Sequence, residues 1–155
     1  MNLRTILPVA LAFSALSLPA LAKDPPLAPA PSHWQLNIAA SDFGGGSKYT
    51  AGSTHLTANA SNNLRWSHSQ TDSHGTVSGS WIGAYDGKAR PVAGIAGEKF
   101  SIKRDGTFHI NRTDGTTIDG TIITADDFKT YTETATIKTK DGHVQHVKLI
   151  YDRVK

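Results

Sequence analysis

Phe100-Ser101-Ile102-Lys103-Arg104-Asp105-Gly106-Thr107-Phe108-His109-Ile110-Asn111-Arg112-Thr113-Asp114-Gly115-Thr116-Thr117-Ile118 is the stretch on which the fold turns. Apolar residues alternate on either side of two Asp-Gly pairs, the short-range signature of consecutive β-hairpins. A two-residue Asp105-Gly106 turn would pair Arg104 with Thr107 and send Phe100 and Ile102 to the opposite sheet face from Phe108 and Ile110. A three-residue loop, Arg104-Asp105-Gly106, with Gly106 left-handed in a G1 bulge, pairs Lys103 with Thr107 instead. Ile102 then faces Phe108, and Phe100 faces Ile110. The same loop at Thr113-Asp114-Gly115 pairs Arg112 with Thr116 and sets Ile110 against Ile118.

The same rule extends outward. At Lys140-Asp141-Gly142 it sets Ala135 against Val147 and Tyr131 against Tyr151, while a four-residue loop Asp126-Asp127-Phe128-Lys129 places Ile118 across from Ile137. A slip of one residue turns every side chain over, so the agreement of these turns on one apolar face selects the register. Upstream, Leu64, Trp66 and His68 alternate, as do Val77, Gly79, Trp81, Gly83 and Tyr85, and an even loop around Ser73-His74-Gly75 puts both sets on one face. Strands are predicted near 34–38, 48–58, 63–70, 76–85, 98–103, 107–112, 116–124, 130–139 and 143–151. No stretch longer than two turns has a helical period, so the chain is all-β, an antiparallel up-and-down meander of about eight or nine strands. Long apolar edges are usually removed by closure, which favours a barrel over an open sandwich.

The sequence has 155 residues, enough for one domain once a leader is set aside. Residues 1–22 read as a signal peptide: Arg4 is followed by an apolar stretch and then Ala20-Leu21-Ala22, the small-residue pattern of signal peptidase, with cleavage before Lys23. The stretch is too short and too interrupted by Pro to span a membrane. No lipid-bearing cysteine follows it, so no membrane anchor is expected and the mature protein is periplasmic or extracellular. Residues 23–32, with Pro25, Pro26, Pro29 and Pro31, read as a semi-rigid tether before a single domain at 33–155. Pro91 is the only proline of the seven beyond Pro31.

The 16 Lys+Arg against 13 Asp+Glu are too balanced and dispersed for a nucleic-acid partner. The absence of cysteine excludes a disulfide framework, a thiol nucleophile and a cysteine metal site. Three segments together resemble small exported bacterial proteins with a lipocalin-like barrel. They are His33-Trp34-Gln35-Leu36-Asn37-Ile38-Ala39-Ala40-Ser41-Asp42-Phe43-Gly44-Gly45, Asp86-Gly87-Lys88-Ala89-Arg90-Pro91-Val92-Ala93-Gly94 and Ile150-Tyr151-Asp152-Arg153-Val154. The resemblance implies a lipocalin-like closure in which Arg153, at the end of the last strand, lies over Trp34 on the first. True lipocalins open with Gly-x-Trp, whereas Ser32-His33-Trp34 lacks the glycine.

Among the seven histidines only His143-x-x-His146 is close in sequence, and strand geometry sends those two rings to opposite faces. A turn at Ser61-Asn62 would bring His55 near His68. Solvated strand histidines are the simpler account, and no metal or cofactor is expected. No Gly-x-Ser-x-Gly elbow accompanies the abundant hydroxyls, so an enzyme is the least favoured class. Gly44-Gly45-Gly46, with no helix or Lys-Ser/Thr after it, reads as a loop near the barrel mouth rather than a phosphate cradle.

Val77-x-Gly79-x-Trp81-x-Gly83-x-Tyr85 places glycines between large rings on one face. Such gaps either receive a flat guest or are filled by neighbouring rings where strands bend to close a small barrel. Glu133 falls on the same inner face, between Ile122 and Leu149, with His68 and Gln145 available for a polar cluster. Its carboxylate is expected to pair with an inward cation, to accept from the Tyr131 or Tyr151 hydroxyl, to face a cavity, or to sit at the rim in water. The function these features support is binding of a small apolar or aromatic molecule inside the barrel. The expected site comprises Trp66, His68, Trp81, Tyr85, Tyr131, Glu133, Gln145 and Tyr151. The rival is a solid-cored envelope or interaction protein.

Overall fold

In a computed structural model of the chain, residues 28–58 and 63–155 are described. The predicted signal peptide and the start of the tether, through residue 27, lie outside the described residues. In chain order the strands are β1 (Ser32–Leu36), β2 (Ala51–Ala58), β3 (Leu64–Asp72), β4 (Gly75–Gly83) and β5 (Arg90–Ala93), then β6 (Lys99–Ile102), β7 (Thr107–Asn111), β8 (Thr117–Thr124), β9 (Thr130–Lys138) and β10 (Val144–Val154). Each pairs antiparallel with its neighbours in sequence, and β1 pairs with β10, so the meander closes into a ten-stranded barrel. The described residues contain no helix.

The turn chemistry produces the predicted register. The Lys103 N–H donates to the Thr107 carbonyl at 2.8 Å, Arg112 to Thr116 at 3.0 Å and Thr139 to His143 at 3.0 Å. Gly106, Gly115 and Gly142 have φ of +83°, +87° and +87°, the left-handed region the G1 bulge requires. Ile102 pairs with Phe108, Phe100 with Ile110, Ile110 with Ile118, Ile118 with Ile137, Ala135 with Val147, and Tyr131 with Tyr151. The aspartates of these loops serve a second purpose. Asp105 and Asp114 accept the N–H two residues on, from Thr107 at 2.9 Å and Thr116 at 2.8 Å, which fixes each turn locally.

The predicted strands lack β5, because Pro91 argues against a strand there. The Val92 N–H donates to the Glu98 carbonyl on the β6 side at 2.9 Å, so the N–H that Pro91 lacks would have pointed toward β4. The ladder between β4 and β5 consists of Ser80–Ala93 and Trp81–Val92 and stops short of Pro91, so no hydrogen bond is lost.

Closure occurs where Trp34 pairs with Arg153, and the guanidinium carbon lies 5.9 Å from the indole centroid. Trp34 is 1% exposed, donates from Nε1 to Ser32 Oγ at 2.8 Å, and meets Tyr131 edge-on at 5.1 Å. Ala28, expected to belong to a tether, packs against the core. This end of the barrel is plugged. Leu36, Ile102, Ile118, Ile122 and Leu149 continue the inner wall toward the other end.

The approach of His55 to His68 that a Ser61-Asn62 turn would produce does not occur. Ala58 pairs with Leu64, which shifts the register by one residue from that of a Ser61-Asn62 turn, so His55 faces Ser67 and His68 faces Thr54. His55 therefore lies on the outer surface, stacked on His33 at 3.8 Å, while His68 points into the barrel.

Candidate functional site

The barrel interior is not filled. Within it lies a cavity of about 80 Å³ lined by the rings of Trp66, Trp81, Phe100 and Phe108 and by the polar groups of His68, Gln70, Glu133 and Tyr151. Inward alternation along β3 supplies Trp66, His68 and Gln70, and its pairing with β4 sets Trp66 directly against Trp81. Phe100 is the hub of the aromatic wall, meeting Trp66 at 5.7 Å, Trp81 at 5.1 Å and Phe108 at 5.9 Å between centroids. Gln70 and Glu133 also line a second compartment of about 210 Å³, which runs toward the end opposite Trp34 and is bordered by Tyr49, Arg112 and Gln145.

Two glycine gaps in the wall are taken up by rings. A Cβ on Gly83 would overlap the Trp81 indole, and one on Gly120 would lie 2.6 Å from Phe108 Cζ. The glycines thus let large rings lie flat against the sheet, and the free volume sits beyond those rings, beside the polar groups. Trp81 is 3% exposed, and its indole N–H has no hydrogen-bond partner among the described residues. Such an orphan donor in a buried site costs free energy until an acceptor reaches it.

The polar groups divide sharply. Glu98, 3% exposed, is paired: its Oε2 accepts from Arg112 Nε at 2.8 Å. Tyr131 and Thr54 share a hydrogen bond at 3.0 Å, and Gln70 Nε2 donates to the Tyr151 hydroxyl at 3.3 Å. The two tyrosine rings stack at 4.5 Å, and burial pushes both hydroxyls well above their ordinary range. Burial also lowers the His68 pKa, with partial opposition from Glu98, so the imidazole is neutral. Glu133 has no hydrogen bond to any described residue, and burial raises its carboxyl from 4.5 to about 7. Of the four environments open to it, Glu133 faces the cavity; the Tyr151 hydroxyl accepts from Gln70, Tyr131 shares its hydrogen bond with Thr54, and neither bonds Glu133.

Of the residues predicted for the site, Trp66, His68, Trp81, Glu133 and Tyr151 come together around the inner cavity. Gln145 lines the outer compartment instead. Tyr131 lies outside both, toward the plugged end, where it supports Tyr151 from behind. Tyr85 is also outside them, because β4 ends at Gly83 and the alternation does not continue past it. Phe100, Phe108 and Gln70 were missed as site residues although the same alternation places them inward. Glu98 and Arg112 lie in or next to loops, where periodicity carries no signal.

Over the outer compartment folds the β1–β2 connection, residues 37–50. Asp42 bridges Lys148 through backbone hydrogen bonds of 2.7 and 2.8 Å, and Gln145 Nε2 donates to the Phe43 carbonyl at 2.7 Å. Phe43 is buried there, edge-on to Tyr49 at 5.7 Å. Gly44 and Gly46 allow this fit, since a Cβ on either would overlap the His146 carbonyl or the Gln145 amide. The triple glycine is thus at the barrel mouth, where the sequence placed it. Among the described residues no three His, Asp or Glu side chains gather as a metal would need. No family model matches the chain, and no curated protein matches it.

Proposed function

We propose that this chain is an exported, lipocalin-like binding protein that holds a small apolar or aromatic molecule inside the barrel and performs no catalysis. The observation that carries this reading is the cavity lined both by aromatic rings and by Gln70, Glu133 and Tyr151, and continuous in lining residues with a compartment toward the mouth. Binding pockets pair an apolar lining with a few convergent polar groups that orient the guest. The inner space of about 80 Å³ is smaller than the roughly 150 Å³ cavity known to take up benzene, so the guest is fragment-sized and extends into the adjoining compartment of about 210 Å³. The exported address rests on Ala20-Leu21-Ala22, and N-terminal sequencing of the exported protein should begin at Lys23.

The rival reading, a solid-cored envelope or interaction protein, draws support from the rings that occupy the Gly83 and Gly120 gaps. Intrinsic fluorescence separates the two. Titration with a panel of fragment-sized aromatic metabolites should produce a saturable change from Trp66 and Trp81, and a flat response across the panel supports the solid core.

A further inference from the structure

The charges that face the interior do not cancel. From the β5–β6 loop comes Glu98, and from the end of β7 comes Arg112, locked to it at 2.8 Å. β3 contributes His68, neutral through burial, and Asp72 at the mouth, whose carboxylate accepts the His74 N–H at 2.7 Å. Tyr49, Tyr131 and Tyr151 are uncharged, their hydroxyls raised by burial. Glu133, on β9, opens onto both compartments and makes no ion pair with a described residue; Arg112, which borders the outer compartment, is paired with Glu98 instead. Glu133 is half-buried, and a partly desolvated carboxylate without a partner is relieved by a guest that brings a positive charge. The same cavity is lined by Trp66, Trp81 and Phe100, aromatic rings of the kind that attract cations and stack on flat rings. An anionic guest would meet Glu133 as a like charge.

We infer that the guest is a small aromatic ammonium, its ring against Trp66, Trp81 and Phe100 and its protonated amine donating to the Glu133 carboxylate. This rests on the container reading above and narrows it to one ligand class. Fatty acids and other anions are excluded from the same space.

Calorimetric titration of the purified protein with 2-phenylethylamine and with its neutral counterpart 2-phenylethanol tests the inference. At pH 8 the amine should bind roughly tenfold or more tightly than the alcohol, the scale of one charge-assisted hydrogen bond. The preference should shrink about tenfold between pH 8 and pH 6, because Glu133 takes up a proton near pH 7 while the amine stays charged. Glu133→Gln should remove the preference and leave alcohol binding in place, and Glu133→Asp should restore part of it. The pH series needs no variant, so it decides the matter even if a substitution prevents folding. Saturable binding of both probes with equal affinity, or a preference that survives Glu133→Gln, overturns the ammonium assignment and leaves the container standing. Binding of neither probe overturns both.

Discussion

Replacing Glu133 by Gln should stabilise the protein at alkaline pH and do little at acid pH, and the size of the difference follows from the site. Burial raises the Glu133 carboxyl from 4.5 to about 7, so the folded state favours the protonated form. The stability associated with that proton is fully present below pH 4.5, is lost as pH rises through about 7, and is gone by pH 8. A gap of that width corresponds to about 3 kcal/mol, on the order of a 10 °C change in Tm for a domain this size. Gln keeps the shape and cannot ionise. Urea unfolding followed by tryptophan fluorescence at pH 4 and pH 8 should show the variant gaining about 3 kcal/mol over the wild type between the two conditions. The loop aspartates, held below the usual carboxylate range by hydrogen bonds from their own turns, titrate equally in both proteins and cancel in the comparison. A variant whose advantage is the same at both pH values, or which is less stable at pH 8, would refute the unpaired-carboxylate account.

Three further outcomes follow from the same geometry. Gly106→Ala should destabilise more than Gly142→Ala. Both glycines are left-handed, which costs about 1–2 kcal/mol for an L residue, but a Cβ at 106 also overlaps the Ile122 carbonyl while the space at 142 is open. Equal denaturation midpoints for the two would contradict this. Arg153→Ala should lose about 0.5–2 kcal/mol through the contact with Trp34, seen as a lower urea midpoint, and an unchanged midpoint would remove closure by that pair. Arg112→Ala should cost about 1–3 kcal/mol by leaving Glu98 buried without its partner, and the double variant with Glu98→Gln should recover much of the loss.

The register from β6 to β10 was legible because three Asp-Gly loops each permit only one pairing that keeps isoleucine and phenylalanine on one face. Tyr131–Tyr151, each nine residues from the Lys140-Asp141-Gly142 loop, follows from that count alone. The register between β2 and β3 was not legible. Residues 59–62 carry no Gly or Asp-Gly to distinguish a short loop from one a residue longer, and that single step moved His55 from the inner face to the outer. Pro91 hid β5 because the rule against proline in strands does not see which side of the strand the missing N–H would face. Glu133 was placed on the inner wall by register, but its isolation was not foreseeable. The hydroxyls of Tyr131 and Tyr151 were free to reach it until Thr54 and Gln70 engaged them, and neither of those residues is near in sequence.

The claim that the barrel interior is a receptive site is tested most directly at the indole N–H of Trp81, which is buried beside the cavity without a partner among the described residues. In a ¹H–¹⁵N spectrum titrated with 2-phenylethylamine, the Trp81 and Trp66 indole resonances should move together with the backbone of Glu133, while Trp34 at the plugged end stays fixed. Perturbations confined to outward residues such as Ile82 and Ile123, with both inner indoles unmoved at saturation, would contradict it.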